Sequence, residues 1–193
     1  DGEKFISLEP QDGLSEVTTL NFFKTKAGFL LFSFRKGISK YDVQTDKFIR
    51  VHTDENEWRI FLGETIHLIY FLSHDGWIRG IHNERFHIVD SFFTGLGNAG
   101  YENFTSNSGI INGTTAINFG GMAYVVDLLR HTIEKIVLPI RIQSGGSIHL
   151  LNEKKMVYSG YNGTPGVFGY DLESKRQKTI RLAPPSSQTF RSR

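Results

Sequence analysis

A repeat of about 43 residues constrains this chain more than any other feature of its sequence. Tyr41-Asp42-Val43, Val126-Asp127-Leu128 and Tyr170-Asp171-Leu172 are each followed, after a short polar stretch, by further apolar residues. The three aspartates are 85 and 44 residues apart. Because 85 is close to twice 43, a weaker copy is expected near residue 85, and Gly80-Ile81-His82-Asn83 supplies it. Four copies at this period are typical of structural repeats that stack on one another.

Each copy has the same internal order of turns and strands. Gly28 precedes Asp42 by fourteen residues, and Gly113 precedes Asp127 by fourteen. This spacing indicates a strand, a glycine turn, a returning strand and a third strand that ends at the aspartate. We expect the aspartate to accept hydrogen bonds from the turn that follows it, and the tyrosine that often precedes it to pack between copies. One such unit cannot bury both of its faces, so neighbours must stack around an axis.

The fold class predicted from these patterns is all-β: a β-propeller of four-stranded blades, with about four to five repeats. These repeats form either a complete propeller or a fragment of a larger one. The alternative is a β-sandwich in which Tyr-Asp turns recur by chance. No window of eleven residues keeps a helical period; the nearest candidate spans residues 130–137. Short segments rich in β-branched and aromatic residues predict strands at 4–8, 17–23, 29–34, 48–51, 65–71, 77–81, 86–89, 115–119, 124–127, 135–138, 147–151, 156–159, 167–170 and 178–182.

The predicted domain organisation is blades over residues 1–183, followed by a linker or the start of a further blade over residues 184–193. Residues 4–8 resemble the outer strand of a preceding blade whose inner strands are not in this sequence. We therefore expect the chain to be a piece of something longer, completed by further blades of the same chain or by a second copy.

One segment resembles a known family. Asp12-Gly13-Leu14-Ser15, the glycine at Gly28 and the stretch from Gly37 through Tyr41-Asp42 to Phe48 are similar to the two-component-regulator propeller repeat, which reads D-G-L-S, then G-x-L-W-I-G-T-x-x-G-L-x-x-Y-D-x-x-T-x-x-F. The resemblance is good over residues 12–51, partial over 113–138 and 166–182, and poor over 52–94. The sequence departs from the repeat where Leu31, Ser33 and Phe34 replace its Trp, Gly and Thr.

The resemblance implies a role. Propellers of that family form the extracytoplasmic sensing part of membrane-bound hybrid histidine kinases, notably kinases that respond to carbohydrates. It therefore implies a periplasmic or extracytoplasmic location, signal transduction, and a kinase elsewhere in the full-length protein. The alternative location is the cytoplasm.

Composition excludes several classes of protein. Twenty-two Lys and Arg against twenty Asp and Glu give a net charge of +2, too small and too evenly spread for a nucleic-acid partner. No run of eighteen apolar residues is present, so we expect no membrane span in this segment. The absence of cysteine removes disulfides, thiolate metal sites and cysteine nucleophiles.

Motifs for catalysis or cofactor binding are weak. The stretch Gly95-Leu96-Gly97-Asn98-Ala99-Gly100 matches a dinucleotide fingerprint, but no helix pattern follows it to hold a pyrophosphate. The seven histidines lack the spacing that places two metal ligands on one face. No paired carboxylates recur at corresponding loop positions. We therefore expect no cofactor, no metal and no catalytic residue.

The predicted ligand-binding face is the one formed by loops that link blades and by loops that link second to third strands. These loops span residues 34–37, 52–59, 74–79, 95–112 and 160–165. Aromatic faces beside Arg and Asn suit sugars or peptides, because stacking supplies area and fixed donors supply orientation. The alternative for the two tryptophans is packing between blades. The candidate ligand-binding residues are Arg35, Trp58, Arg59, Trp77, Arg79, Tyr101, Asn103, Tyr161 and Asn162.

Three functions remain open at this point. The first is a non-catalytic propeller that senses a small molecule, of carbohydrate type, or a peptide. The second is an intracellular scaffold propeller that binds other proteins. The third is a propeller lyase or glycosidase.

Overall fold

The computed structural model describes residues 21–34, 37–53, 59–73, 75–96, 104–105, 109–142, 146–162 and 164–180. Sixteen strands and no helix lie in these ranges. The strands form four antiparallel sheets of four, and each sheet uses strands that are consecutive in sequence. The all-β propeller architecture predicted from the repeat is therefore confirmed.

The four sheets are blades 1 to 4 in chain order. Blade 1 contains β1 Asn21–Lys24, β2 Leu30–Phe34, β3 Gly37–Asp42 and β4 Lys47–Thr53. Blade 2 contains β5 Arg59–Glu64, β6 Leu68–Ser73, β7 Trp77–His82 and β8 Ile88–Phe93. Blade 3 contains β9 Phe104–Thr105, β10 Thr114–Phe119, β11 Met122–Asp127 and β12 Thr132–Ile136. Blade 4 contains β13 Ile148–Asn152, β14 Lys155–Asn162, β15 Thr164–Asp171 and β16 Arg176–Ile180.

Several strand predictions differ from the structure. The strand β5 was not predicted, because Ile60, Phe61 and Leu62 are all buried and so lack the alternation that marks a half-buried strand. The stretch 95–112, predicted as one loop, contains the short strand β9. Residues 130–137, the nearest helix candidate, hold β12 instead. The predicted strand at 4–8, the first part of the one at 17–23 and the end of the one at 178–182 lie outside the described residues.

The turn between the third and fourth strands has the same construction in every blade. Asp127 Oδ1 accepts hydrogen bonds from the backbone N–H groups of Leu129 and Arg130, at 3.0 and 2.9 Å. Asp42 and Asp171 cap their turns in the same way. In blade 2 the acceptor is His82 Nδ1, which explains why the repeat is weakest there. Four residues after each cap the backbone is left-handed, with φ of 54° or 55°, at Asp46, Phe86, His131 and Lys175.

Alternation along the strands lets each blade pack on two neighbours. In β6, Ile69 and Phe71 belong to the core between blades 1 and 2, whereas Tyr70 and Leu72 belong to the core between blades 2 and 3. The third core joins blades 3 and 4 and includes Ala116, Ala123, Ile136, Met156, Tyr158, Phe168 and Tyr170. Among the described residues, none of these cores joins blade 4 to blade 1.

The two tyrosines of the repeat have different environments. Tyr170 is 5 % exposed and packs in the core between blades 3 and 4, as predicted. Tyr41 packs within blade 1 against Phe32 and Phe48, and its hydroxyl donates to the carboxylate of Asp46. The side chain of Tyr41 lies on the face of blade 1 opposite to blade 2, where the described residues supply no neighbouring blade, so packing of Tyr41 between two blades stays a prediction.

Candidate functional site

The nine candidate residues divide into those whose side chains the structure describes and those it does not. Side-chain surroundings are described for Trp77 and Arg79, both in β7. Three others are placed only as strand positions: Arg59 opens β5, and Tyr161 and Asn162 close β14. Arg35, Trp58, Tyr101 and Asn103 lie outside the described residues, as does most of the Gly95–Gly100 fingerprint.

Trp77 lies where the tight turn between β6 and β7 meets the end of β8. Gly76 adopts φ of 80°, and its carbonyl accepts hydrogen bonds from both the backbone N–H and the hydroxyl of Thr94. These two hydrogen bonds tie the turn to the segment after β8. In the sheet register Trp77 is therefore the direct partner of Phe93.

Trp77 and Phe93 form an exposed aromatic pair, which we call the aromatic platform. Their ring centroids are 5.7 Å apart with an interplanar angle of 48°. Trp77 is 37 % exposed and Phe93 is 59 % exposed. The alternative that Trp77 is packed away between blades is wrong, because more than a third of this residue is open to solvent.

An ion pair supports the platform from one side. Both terminal nitrogens of Arg79 donate to the carboxylate of Asp75, at 3.1 and 2.7 Å, and Asp75 also accepts from the Trp77 backbone N–H. The Arg79 side chain is only 15 % exposed, and its guanidinium carbon lies 5.9 Å from the Trp77 ring. A fork held at both nitrogens is pre-organised, so the guanidinium has a fixed position beside the indole.

Sequence reasoning missed Phe93 as a member of the site. The predicted fourth strand of blade 2 ended at Val89, whereas β8 extends from Ile88 to Phe93. The sequence Phe92-Phe93 could have indicated it. Neighbouring side chains in a strand point to opposite faces, so when one of the two rings enters a core the other must face away from that core. Phe92 is 8 % exposed and belongs to the core between blades 2 and 3.

The described residues contain no group of three or more His, Asp or Glu side chains that could hold a metal ion. Nor does any helix in the described part of the chain have the length and apolarity to cross a bilayer. What the aromatic platform offers is an exposed pair of tilted aromatic rings beside a pair of opposite charges. Such a surface suits binding through stacking and hydrogen bonding.

Comparison with known proteins identifies the fold. No protein-family model and no curated protein sequence matches the chain. Among solved structures it is similar to U3-55K, with a TM-score of 0.61 and 17 % identity over 87 % of this chain and 53 % of that one. It is similar to the WD40 repeats of RRP9, with a TM-score of 0.62 and 18 % identity over 82 % of this chain and 47 % of that one.

A third similar structure is the extracellular domain of BT4673 from B. thetaiotaomicron, a candidate hybrid two-component system. The TM-score is 0.55, with 17 % identity over 89 % of this chain and 22 % of that one. This chain therefore spans about half the length of the U3-55K and RRP9 chains and about a fifth of the sensor domain. At these identities the likeness shows the propeller fold alone.

Proposed function

We propose that this chain is a non-catalytic, ligand-sensing part of a propeller and that it binds a carbohydrate on the aromatic platform. The single observation that carries the proposal is the exposed pair of Trp77 and Phe93, braced by Arg79 and Asp75. An indole that stands at the surface of a blade beside a half-buried ion pair contributes little to any core, so its exposure favours a ligand.

The chemistry of the platform favours a sugar over a strongly charged ligand. One face of a pyranose ring carries C–H groups, which pack on an aromatic face, while the hydroxyls at its rim take part in hydrogen bonds. The charges of Arg79 and Asp75 already neutralise each other at 2.7 Å, so the site has no strong net preference for an anion or a cation. Their oxygens and N–H groups still supply acceptors and donors for hydroxyls.

Similarity to the BT4673 extracellular domain supports the sensing role, because that protein is a candidate two-component system with this fold. The proposed role places the chain outside the cytoplasm, with signalling by a domain elsewhere in the full-length protein. The second candidate function is a scaffold that binds proteins. It is favoured by the WD40 repeats of RRP9 among the similar structures and by exposed aliphatic side chains such as Ile66.

The proposal is tested by titrating the chain with a panel of neutral oligosaccharides. The sequence has two tryptophans, so the variant Trp58→Phe leaves Trp77 as the only indole and its fluorescence reports binding at the platform. We expect a saturable spectral shift with at least one oligosaccharide. We also expect Trp77→Ala to weaken binding about tenfold or more by calorimetry, since a central aromatic anchor contributes most of a small interface.

The matched control is Ile180→Ala, which removes an equally exposed apolar side chain in blade 4. It should leave the affinity unchanged. If oligosaccharides bind with the same affinity to wild type and Trp77→Ala, or do not bind at all, the aromatic platform is not a carbohydrate site.

A further inference from the structure

A cleft formed by described residues lies at the end of the blades opposite to the aromatic platform. The platform is at the β6–β7 turn. This cleft is at the β5–β6 turn and at the corresponding turns of the neighbouring blades, β1–β2 in blade 1 and β9–β10 in blade 3. Its volume is about 650 Å³, within the usual range for ligand sites. We call it the turn cleft; its lining includes Lys26, Glu64, Ile66, Ile110, Asn112 and Leu129.

Glu64 is a buried carboxylate in the wall of the turn cleft. It is 6 % exposed. Its Oε2 accepts the Lys26 backbone N–H at 2.6 Å, and its Oε1 lies 3.4 Å from the Asn83 amide nitrogen, which is a long contact. Both donors are neutral. Among the described residues, no Lys, Arg or His side chain forms an ion pair with Glu64.

A carboxylate removed from water is stabilised by a cation or by a full set of N–H donors. Each carboxylate has about four acceptor sites, and the described residues donate to two of those on Glu64. Lys26 contributes its backbone rather than its ammonium group. The wall of the turn cleft therefore carries a buried carboxylate beside space that a ligand can enter, and within the described residues neither Lys26 nor His67, which also line the cleft, forms an ion pair with it.

The rim of the turn cleft is apolar. Ile66 is 80 % exposed and Leu129 is 69 % exposed, which are large fractions for aliphatic side chains. Leu129 lies over Gly113, where even a Cβ atom would come within 2.6 Å of its side chain, so the rim is closely fitted on that side. Behind the rim, Ile110 and Ile111 are half-buried and pack on the blade cores.

We propose that the turn cleft binds a segment of a partner protein that presents an arginine or lysine flanked by aliphatic residues. The basic group pairs with Glu64, and the flanking side chains cover Ile66 and Leu129. Charge complementarity with the buried carboxylate selects the cation. A small amine would satisfy Glu64 but leave the aliphatic rim in water, whereas a peptide covers both.

The test uses three fluorescein-labelled pentapeptides with the sequence Ala-Ile-X-Ile-Ala, in which X is arginine, lysine or citrulline. Citrulline has nearly the shape of arginine but no charge. We expect the arginine or lysine peptide to bind saturably in fluorescence polarisation, and the citrulline peptide to bind about tenfold more weakly or worse. Agmatine, which carries a guanidinium group on a short chain, should compete only weakly.

Variants of the chain locate the site. Glu64→Gln should abolish the preference for arginine over citrulline, while Ile66→Ser should weaken both peptides by the same factor. Val43→Ser is the matched control, because Val43 is 70 % exposed in a turn at the same end of blade 1 but does not line the turn cleft. This variant should leave the affinity for each of the three peptides unchanged.

Three results would overturn the proposal: no saturable binding of either basic peptide, equal binding of the arginine and citrulline peptides, or agmatine binding as tightly as the peptide. If Glu64→Gln fails to fold, the comparison of arginine with citrulline on the wild-type chain and the effect of Ile66→Ser decide. The proposal does not rest on the carbohydrate function, and Trp77→Ala should leave peptide binding intact.

Discussion

His131 of blade 3 bridges back to Asp90 of blade 2, with Nε2 of the imidazole 3.0 Å from Oδ1 of the carboxylate. The same relation recurs one blade later, where Lys175 lies 3.4 Å from Glu134. Both basic residues occupy the left-handed position four residues after the turn cap. In the sheet register, Asp90 pairs with Gly80 and Glu134 pairs with Val125, and each of these partners lies two residues before the turn cap of its blade. The propeller therefore repeats a contact between blades as well as the fold of each blade.

These two bridges should differ in their contribution to stability. The imidazole of His131 also stacks on Phe92, with centroids 4.6 Å apart and an angle of 12°. We expect His131→Ala to lower the free energy of unfolding by about 1–2 kcal/mol, because stacking and the bridge are lost together. Lys175→Ala, at an exposed pair, should cost less than about 0.5 kcal/mol. Urea denaturation of both variants measures the difference, and equal effects would contradict it.

The two tyrosines of the repeat provide a second prediction. Tyr170→Ala leaves a cavity in the core between blades 3 and 4 and should cost about 3–5 kcal/mol of unfolding free energy. Tyr41→Ala, on a half-buried side chain within blade 1, should cost less than about 2 kcal/mol. A Tyr170→Ala protein with an unchanged melting temperature would show that this core does not stabilise the blades.

Acid should destabilise the turns of blades 1 and 4. Backbone N–H donors of Gln44 and Ser174 hold the pKa values of Asp42 and Asp171 below their ordinary value of 3.8. A folded-state pKa below the unfolded one adds stability above the unfolded pKa, and that stability is lost as pH falls through the folded pKa. We expect Asp171→Asn, which keeps an acceptor but cannot titrate, to lose less stability than wild type between about pH 5 and pH 3.

Alkali should act through Tyr70. Burial, together with Asp90, which accepts from the phenol at 3.1 Å, raises the pKa of Tyr70 to about 12. Because the folded pKa lies above the unfolded value of about 10, the stabilisation is complete below pH 10 and is lost as pH rises through 12. Tyr70→Phe should therefore show a shallower loss of stability in that window. Ultraviolet titration of tyrosinate in the folded chain checks the pKa directly.

The outer faces of the end blades should require cover. Phe22 on blade 1 is 70 % exposed, and Leu151 on blade 4 is 59 % exposed. We expect these four blades not to close a ring by themselves. Size-exclusion chromatography with light scattering tests this.

A variant that lacks residues 1–10 is the companion experiment to that measurement. A stable, soluble monomer whose melting temperature is indifferent to the deletion would contradict the prediction and favour a closed ring of four blades.

Much of the fold was predictable because the repeat is local. The aspartate caps act over two or three residues, so their spacing in the sequence reports the turns directly. The weaker copy predicted over Gly80–Asn83 contains the fourth cap, His82, which the sequence did not identify as a cap. The inner strand β5 escaped prediction because both of its faces are buried, which erases the alternation that sequence reasoning uses.

The candidate sites were less accessible to sequence reasoning. Trp77 could be singled out as a large aromatic residue beside a turn, but its partner Phe93 lies sixteen residues away and is brought to it by strand pairing. In the sequence, Glu64 is simply a charged residue after the apolar stretch Ile60-Phe61-Leu62. Its burial, and its contact with the backbone of Lys26 in the preceding blade, depend on how two blades stack.

The sequence by itself determined the repeat, the all-β class and the turn caps, because each of these is encoded by residues only a few positions apart. Tertiary structure alone decided which face of each strand meets which neighbour, why Tyr170 is buried and Tyr41 is not, and where an aromatic pair and a buried carboxylate come to the surface. The physical reason is that burial and charge pairing between blades depend on residues about forty positions apart, whose proximity is a property of the stacked sheets.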